Sequence, residues 1–304
     1  MTGYTIRQSF ILFLTAVIWG VAFVAQSAGM EYLGPFTYNG VRSVLGGLIL
    51  LPCIALLHKI QGKEHGFADG KNPNGRRGVD KQLLTGGLCC GLILFAASNF
   101  QQFGIQYTTV GKAGFITAMY ILIVPLLGLL VHKKVGMQVW IGVIYGIAGL
   151  YLLCMKDSIS LEKGDALVLV CALIFSLHIL VIDHFSQKVD GVRMACIQFW
   201  VCGILSLICS FLFETPDLRS ICEAWMPVCY GGILSCGVAY TLQIIGQKGM
   251  NPTVASLILS LESVIAAIAG FLILGQDMSR RELLGCLMMV MAIVFAQLPG
   301  KKKK

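Results

Sequence analysis

Residues 9–28 read SFILFLTAVIWGVAFVAQSA, a run of twenty positions without a charged side chain. An α-helix needs about 20 mainly apolar residues to cross the hydrocarbon core of a bilayer. The stretch therefore predicts a transmembrane helix. No cleavage site followed by a soluble mature chain comes after it, so we expect the helix to be retained rather than removed as a signal peptide.

Segments of the same length and character recur along the 304-residue chain, with polar or Gly- and Pro-containing connections between them. Only 12% of the residues are charged, whereas a soluble globular domain carries about 25%. Too little polar surface remains to cover a soluble protein, so the bilayer must be the main solvent. The sequence predicts an all-α membrane protein with ten transmembrane helices, near 9–28, 37–58, 82–103, 113–131, 137–155, 164–183, 193–213, 226–246, 253–274 and 282–298.

The basic residues predict the orientation. With the N-terminus in the cytoplasm, sixteen of the 23 Lys and Arg residues fall on inner segments and six on outer ones. Because these residues resist translocation, we expect both termini, a flexible linker loop at 59–81 and the basic tail at 299–304 to be cytoplasmic. We expect the membrane to be a bacterial cytoplasmic membrane. The net charge of +8 does not indicate a nucleic-acid partner, because no basic stripe with interleaved aromatic side chains is present.

Several kinds of chemistry have no motif in this chain. The twelve cysteines are scattered, mostly within apolar segments, without a Cys-x-x-Cys pair or a Cys/His spacing typical of a metal site. They suit helix packing as small apolar residues, and we expect no disulfide, metal or cofactor. The chain also lacks a metalloprotease His-Glu-x-x-His and a P-loop for ATP. Any transport must therefore be driven by a gradient or by exchange.

The second half of the chain repeats features of the first. Residues 100–104 align with residues 242–246 at an offset of 142, and an offset of 156 pairs Trp19 with Phe175 and Arg42 with Gln198. The predicted halves are 9–155 and 164–298. Since each contains five spans, the second must enter the membrane with the opposite orientation. Inverted repeats are a recurring plan of secondary transporters, so the sequence predicts two inverted five-helix repeats around a central cavity.

Polar side chains within the spans are expensive unless they are paired or face a wet cavity. Glu262 and His178 lie near the middle of their spans, and Arg42 lies nearer the outer end of the second. Other polar and aromatic residues recur at helical spacing on three spans. We predict that these residues line the cavity and bind a small-molecule substrate: Trp19, Phe23, Gln26, Arg42, Asn99, Gln102, His178, Tyr240, Gln243 and Gln247.

Each of these residues also has a structural interpretation. Gln and Asn commonly form hydrogen bonds between helices in membranes. His178 could be an interior histidine whose ring nitrogens are hydrogen-bonded. Arg42 could join helix ends, or extend its guanidinium to the membrane surface. An unpaired carboxylate near the midplane is harder to explain by packing, although Glu262 and Arg42 would also suit an ion pair. Desolvation favours the protonated form of such a carboxyl group. We therefore predict that Glu262 exchanges protons and couples solute flux to a proton gradient, with His178 as a second relay member.

Ordered motifs across residues 9–298 resemble the drug/metabolite transporter superfamily, and in particular its EamA-type members with ten helices. The resemblance is carried by short motifs in both halves: Ile18-Trp19-Gly20, Gly34-Pro35-Phe36 leading to Arg42, Lys112 to Thr117 through Tyr120 to Val124-Pro125-Leu126, Gly164-Asp165, His178 to Asp183, Gly237 to Tyr240, and Leu257 to Glu262. It implies a 5+5 inverted arrangement around a cavity and transport of small organic solutes such as amino acids, often outward. Tyr120 joins the cavity candidates.

Two departures from the family pattern bear on helix geometry. The usual Leu-Glu-Pro is Leu261-Glu262-Ser263 here, so a proline kink is lost, and the usual Leu-Gly-Glu is Leu274-Gly275-Gln276. Pro125 is expected to kink the fourth span, because proline lacks the backbone donor. The leading hypothesis is a gradient-driven exporter rather than an enzyme. The alternatives are a membrane enzyme acting on lipid-linked substrates, which His178, Asp183 and His184 would favour, and a non-catalytic membrane subunit.

Overall fold

A computed structural model describes residues 3–60, 70–71, 77–78, 80–108, 110–130, 135–154, 162–274 and 279–297. This part of the chain is almost entirely helical. The helices are α1 (Gly3–Gly29), α2 (Pro35–Ile60), α3 (Lys81–Ile105), α4 (Val110–Thr117), α5 (Tyr120–Leu130), α6 (Met137–Cys154), α7 (Lys163–Ser186), α8 (Gly191–Phe213), α9 (Leu218–Glu223), α10 (Trp225–Cys229), a π-helical segment (Tyr230–Ala239), α11 (Tyr240–Gln247), α12 (Pro252–Leu259), α13 (Glu262–Leu274) and α14 (Arg280–Gln297).

The chain is an integral membrane protein. Within the described ranges, eight helical stretches are long and apolar enough to cross a bilayer, and Met137–Leu152 is a shorter apolar helix. Many large apolar side chains lie exposed on the outside of the bundle, among them Leu130, Phe211 and Phe213. This exposure would be unfavourable in water but is suited to lipid, because hydrocarbon solvates these side chains as well as a protein core does.

Small residues let the helices approach closely. α6 lies along α14, α2 lies along α8, and α3 packs against α7 and α8. A Cβ added at Gly142 of α6 would lie 2.7 Å from the carbonyl oxygen of Ala292 in α14, so only glycine permits this backbone contact. α1 packs against the π-helical segment, α11, α12 and α13. The bundle thereby brings helices from both ends of the sequence to one centre.

Acidic side chains cap several helices where their first N–H groups have no partner in the helix. Asp80 and Asp190 cap α3 and α8. Asp217 caps α9, and hydrogen bonds from the backbone N–H groups of Ser220 and Arg219 hold the pKa of its carboxyl below the ordinary value. Glu214, at the end of α8, accepts the N–H groups of Phe36 at 2.9 Å and of Thr37 at 2.8 Å. It therefore ties the end of α8 to the start of α2.

Two apolar spans are interrupted at their middles. α4 ends and α5 begins around Ala118 and Met119, and α12 ends and α13 begins around Ser260 and Leu261. The first interruption precedes Pro125, which lies inside α5, rather than falling at the proline. The second shows that the absence of proline after Glu262 does not keep the ninth predicted span continuous.

Serine side chains explain the second interruption. The hydroxyl of Ser256 donates to the carbonyl of Thr253 at 2.9 Å, and that of Ser260 donates to the carbonyl of Leu257 at 2.8 Å. Such bonds to the preceding turn compete with the helical ladder. The N–H of Leu261 then bonds the carbonyl of Ile258 at 3.2 Å, a tighter turn than the α-helical one.

The predicted linker loop contains a short ladder where the sequence predicted no structure. Gly70–Lys71 (β1) pairs antiparallel with Arg77–Gly78 (β2), with Gly70 opposite Gly78. The remainder of the loop between residues 61 and 79, the basic tail 299–304 and the departure at Gly275-Gln276 lie outside the described residues.

Candidate functional site

A small cavity lies at the centre of the bundle. Its volume is about 40 Å³, which is room for a few water molecules. A solute the size of an amino acid therefore requires the surrounding side chains and helices to move apart. The cavity is lined by Trp19, Phe23, Gln26, Arg42, Gln101, Thr117, Tyr120, Phe175, Ile179, Ser235, Tyr240, Gln243, Leu259 and Glu262.

Glu262 enters the cavity from the first turn of α13, directly after the interruption in the span. The side chain is only 4% exposed, and its Oε1 accepts a hydrogen bond from the hydroxyl of Tyr120 at 3.0 Å. Tyr120 is the first residue of α5, so the bond joins the starts of two half-helices. Gly20 of α1 allows this approach, since a Cβ there would lie 2.7 Å from the carbonyl oxygen of Glu262.

Arg42 places a buried cation at the same cavity. Its side chain is 4% exposed, its Nε donates to Oδ1 of Asn39 at 2.9 Å, and its guanidinium lies 5.2 Å from the centre of the Tyr38 ring. Within the described part of the chain, no carboxylate lies within 4.0 Å of its nitrogens, so Arg42 and Glu262 form no ion pair. The guanidinium of Arg42 and the carboxyl group of Glu262 are thus both buried at the same cavity without forming an ion pair with each other.

Aromatic rings form one wall of the cavity. The rings of Trp19 and Tyr240 meet edge to face with centroids 4.6 Å apart, and Phe199 lies 5.4 Å from Tyr240 behind them. Trp19 Nε1, Gln26 Oε1 and Gln243 Oε1 are buried polar atoms without a hydrogen-bond partner among the described residues. Buried polar groups normally have partners, so the cavity holds donors and acceptors that water or a solute can satisfy.

The structure brings most of the predicted site residues together, and the remaining four lie outside the cavity lining. Asn99 lies behind Arg42, where its Oδ1 accepts from Asn39 at 3.0 Å and its Nδ2 donates to Ser206 at 3.2 Å. Gln102 ties α3 to α1 by donating to the carbonyl of Gln26 at 3.1 Å. The residues around the cavity are Trp19, Phe23, Gln26, Arg42, Tyr120, Tyr240, Gln243 and Glu262.

His178 and Gln247 are buried elsewhere. Nε2 of His178 lies 3.2 Å from Oε1 of Gln198, and its ring centre lies 6.1 Å from that of Tyr240, behind the aromatic wall. Gln247 lies one turn beyond Gln243 along α11, and its amide has no partner among the described residues. His178 is therefore an interior histidine with one hydrogen-bonded ring nitrogen, whereas its Nδ1 has no partner among the described residues.

Sequence reasoning missed six lining residues: Gln101, Thr117, Phe175, Ile179, Ser235 and Leu259. Gln101 donates to the hydroxyl of Thr117 at 3.3 Å, so it faces the cavity while the adjacent Gln102 does not. The predicted polar face of the third span was therefore rotated by one residue. The repeat could have identified three of the six. Phe175 and Ile179 lie 156 residues after Trp19 and Phe23, and Gln101 lies 142 residues before Gln243.

Similarity to known proteins covers nearly the whole chain. A model described as the EamA-like transporter family matches residues 7–155 and 162–297. An uncharacterized transporter of Archaeoglobus fulgidus is 27% identical over 288 residues, covering 94% of this chain and 84% of the relative. The uncharacterized inner membrane transporter YedA of Escherichia coli K12 is 24% identical over 94% of this chain and 89% of its own length.

A solved crystal structure has the same fold. It superposes with a TM-score of 0.74, at 18% sequence identity, and the match covers 96% of each chain. At this level of identity the likeness concerns the helical architecture alone.

Proposed function

Because the chain belongs to the EamA-like transporter family, we propose that it is a secondary transporter that exports small organic solutes, such as amino acids or related metabolites. In this proposal ten transmembrane helices form two inverted repeats, residues 9–155 and 164–298. The central cavity binds the solute and opens alternately to the two sides of the membrane. Gradients supply the driving force.

The observation that carries the proposal is the composition of the cavity lining. Ten of the fourteen lining residues are related in pairs by the two sequence offsets of the repeat. The cavity therefore has the makeup expected of a site on a two-fold axis between inverted halves, where secondary transporters bind their substrates. The pairs are Trp19 with Phe175 and Phe23 with Ile179 at 156, and Gln101 with Gln243, Thr117 with Leu259 and Tyr120 with Glu262 at 142.

Reciprocal helix contacts support the same symmetry. Gly47 of α2 faces Trp200 of α8, while Gly203 of α8 faces Val44 of α2, and both residue pairs are related by 156. The two interrupted spans also agree, because Ala118 and Ser260 stand at corresponding points 142 residues apart. A two-fold axis explains why contacts occur in such exchanged pairs.

The chemistry of the lining supports a solute with both charges. The cation of Arg42 suits a carboxylate, since guanidinium binds carboxylates through paired N–H groups. The unpartnered oxygens Oε1 of Gln26 and Gln243 suit an ammonium group, and the aromatic wall around Trp19 and Tyr240 suits an apolar substituent. These features together favour amino acids and related zwitterions. The two charged residues have no charged counterpart in the other half of the repeat, since Arg42 corresponds to Gln198 and Glu262 to Tyr120.

Coupling to protons is proposed for Glu262. An ionisable side chain held away from water within a membrane is a functional-site hypothesis by default. Its hydrogen bond from Tyr120 remains available whether the carboxyl group is charged or neutral, because the second oxygen can hold the proton. Proton uptake on one side and release on the other would then accompany the movement of the solute.

The alternative of a membrane enzyme receives less support from the geometry. Asp183 is buried near the end of α7, whereas His184 contacts Lys188 at 2.8 Å in an exposed position. Neither residue lines the central cavity, and His178 lies behind its wall. A non-catalytic subunit would not need the unpaired polar atoms that face the cavity.

Solute export is tested by comparing bacterial cells that express the protein with cells that express Tyr240→Ala or Trp19→Ala. We expect one or a few amino acids or related metabolites to accumulate in the medium only with the unaltered protein, as measured by mass spectrometry. Ser9→Ala, away from the cavity lining, serves as the control. Identical solute profiles with the unaltered protein and with empty vector would refute export.

The proposed orientation is tested by cysteine labelling. In a chain freed of its native cysteines, a membrane-impermeant maleimide should label Gly70→Cys only after the cytoplasmic side is opened. Glu31→Cys, in the connection between α1 and α2, should react in intact cells. The charge distribution is the physical reason, and labelling of residue 70 from outside would contradict both the orientation and the proposed inversion.

A further inference from the structure

A second, apolar cavity lies on the lipid-facing side of the bundle, between α4, α6 and α7. Its volume is about 590 Å³, far larger than that of the central cavity. Phe115, Ile144, Ala148 and Leu169 are among its lining residues, and nearly all of the lining is apolar. Ile144 and Leu169 are also exposed on the outside of the protein, so the cavity is a groove open to the surroundings of the helices.

The carboxylate that lines this groove, Asp165, is already hydrogen-bonded. Asp165 is 2% exposed, and its carboxylate accepts from the hydroxyl of Thr108 and from the N–H of Glu162 at 3.0 Å. The acid therefore fixes the start of α7 and leaves little capacity for a ligand. A groove of this kind at membrane depth is filled by hydrocarbon rather than by water, because its lining is almost entirely apolar.

Two cations lie at one end of the groove. The guanidinium of Arg281 lies 5.3 Å from the ring centre of Tyr151, which lines the groove at the end of α6. Nζ of Lys163 lies 5.2 Å from the ring centre of Tyr107, at the start of α7 and two residues before Asp165. Stacking against a ring holds each cation while leaving its N–H groups free for an anion.

Within the described part of the chain, no carboxylate lies within 4.0 Å of Nζ of Lys163 or of the guanidinium of Arg281. Asp165 caps α7, and Glu282 is 8% exposed and caps α14 by accepting from the N–H and hydroxyl of Ser279 at 2.7 Å. Glu162 is exposed beside them. The groove is thus apolar within the membrane and has two cations without an ion pair among the described residues at the end where α7 begins. That combination matches a lipid with an acyl chain and an anionic headgroup.

We propose that the groove between α4, α6 and α7 binds an acyl chain of an anionic phospholipid, whose phosphate is held at its mouth by Lys163 and Arg281. The site is separate from the central cavity, and the lipid supports the packing of α4 against α7. Basic residues near a membrane surface each favour anionic lipid by an amount equivalent to about fivefold in affinity. The two cations together should therefore favour an anionic over a zwitterionic lipid by about 25-fold.

The test is native mass spectrometry of the full chain in detergent, titrated with phosphatidylglycerol or with phosphatidylethanolamine of the same acyl chains. We expect one tightly bound phosphatidylglycerol. Exchanging both cations, in Lys163→Ala with Arg281→Ala, should remove the preference for phosphatidylglycerol. Ala148→Trp, which places a large side chain in the groove, should remove binding of both lipids at this site. The matched controls are Arg219→Ala, an exposed arginine elsewhere, and Val290→Trp, an exposed apolar position on α14.

Three outcomes would overturn the proposal. Equal affinity for the two lipids would mean non-selective annular lipid only. Unchanged binding in both Ala148→Trp and the double alanine variant would place the lipid elsewhere. A dimer that dissociates on Ala148→Trp would show that a second copy of the chain occupies the groove. The controls and the melting temperature of each variant separate these outcomes from misfolding.

Discussion

Replacing Glu262 with glutamine is expected to abolish solute accumulation driven by a pH gradient while leaving solute exchange intact. A gradient of one pH unit is worth about 1.4 kcal/mol per proton, or about tenfold in accumulation. Glutamine keeps the size of the side chain and an oxygen that accepts from Tyr120, but it cannot take up or release a proton. The variant should therefore equilibrate the solute across the membrane without concentrating it.

The measurement uses sealed vesicles containing the purified protein and the solute identified by export profiling, with and without an imposed pH gradient. Tyr120→Phe is the matched variant, because it removes the hydrogen bond at 3.0 Å and keeps the carboxyl group. It should retain pH-driven accumulation. Accumulation by Glu262→Gln equal to that of the unaltered protein would exclude Glu262 as the coupling group, and loss of the folded protein would instead favour a structural role.

Replacing Arg42 with glutamine is expected to weaken transport of carboxylate-bearing solutes by about 10- to 150-fold. A hydrogen bond to a charged group contributes about 1.5–3 kcal/mol, and each 1.4 kcal/mol is about tenfold in affinity. The cation is buried beside the cavity without a carboxylate neighbour in the described part of the chain, so a solute carboxylate would be its counter-charge. The affinity of Arg42→Lys for the solute should lie between that of the unaltered protein and that of Arg42→Gln, because lysine keeps the charge but loses the planar pair of donors.

The diagnostic measurement is the concentration for half-maximal flux, compared between a solute with a free carboxylate and the corresponding amide. Arg219→Gln is the control, since Arg219 is an exposed arginine paired with Glu223 at 3.1 Å. Recognition of the carboxylate predicts a loss confined to the acid. An equal loss for acid and amide would show that Arg42 acts through its bond to Asn39 and its contact with Tyr38.

The class of the protein, a helical integral membrane protein, follows from the amino-acid sequence alone. Transmembrane helices can be predicted from long uncharged segments alone, because a helix must have a certain length to span a bilayer whatever its neighbours are. The motifs around Trp19, Arg42 and Tyr240 indicated the family, and the match to the EamA-like transporter family confirms that resemblance. The cost of a polar group in hydrocarbon also singled out Glu262 and Arg42, both of which reach the central cavity.

The inward-facing side of each helix became visible only in the folded bundle. In water an apolar stripe marks the buried side of a helix, but in lipid the outer side is apolar too. The pattern of the third span therefore could not distinguish Gln101, which lines the cavity, from Gln102 and Asn99, which join helices behind it. The break before Glu262 escaped prediction for a related reason: serine hydroxyls, rather than a proline, interrupt the ladder. The bond between Tyr120 and Glu262 joins residues 142 positions apart, and it exists only because the folded bundle brings two helix breaks together.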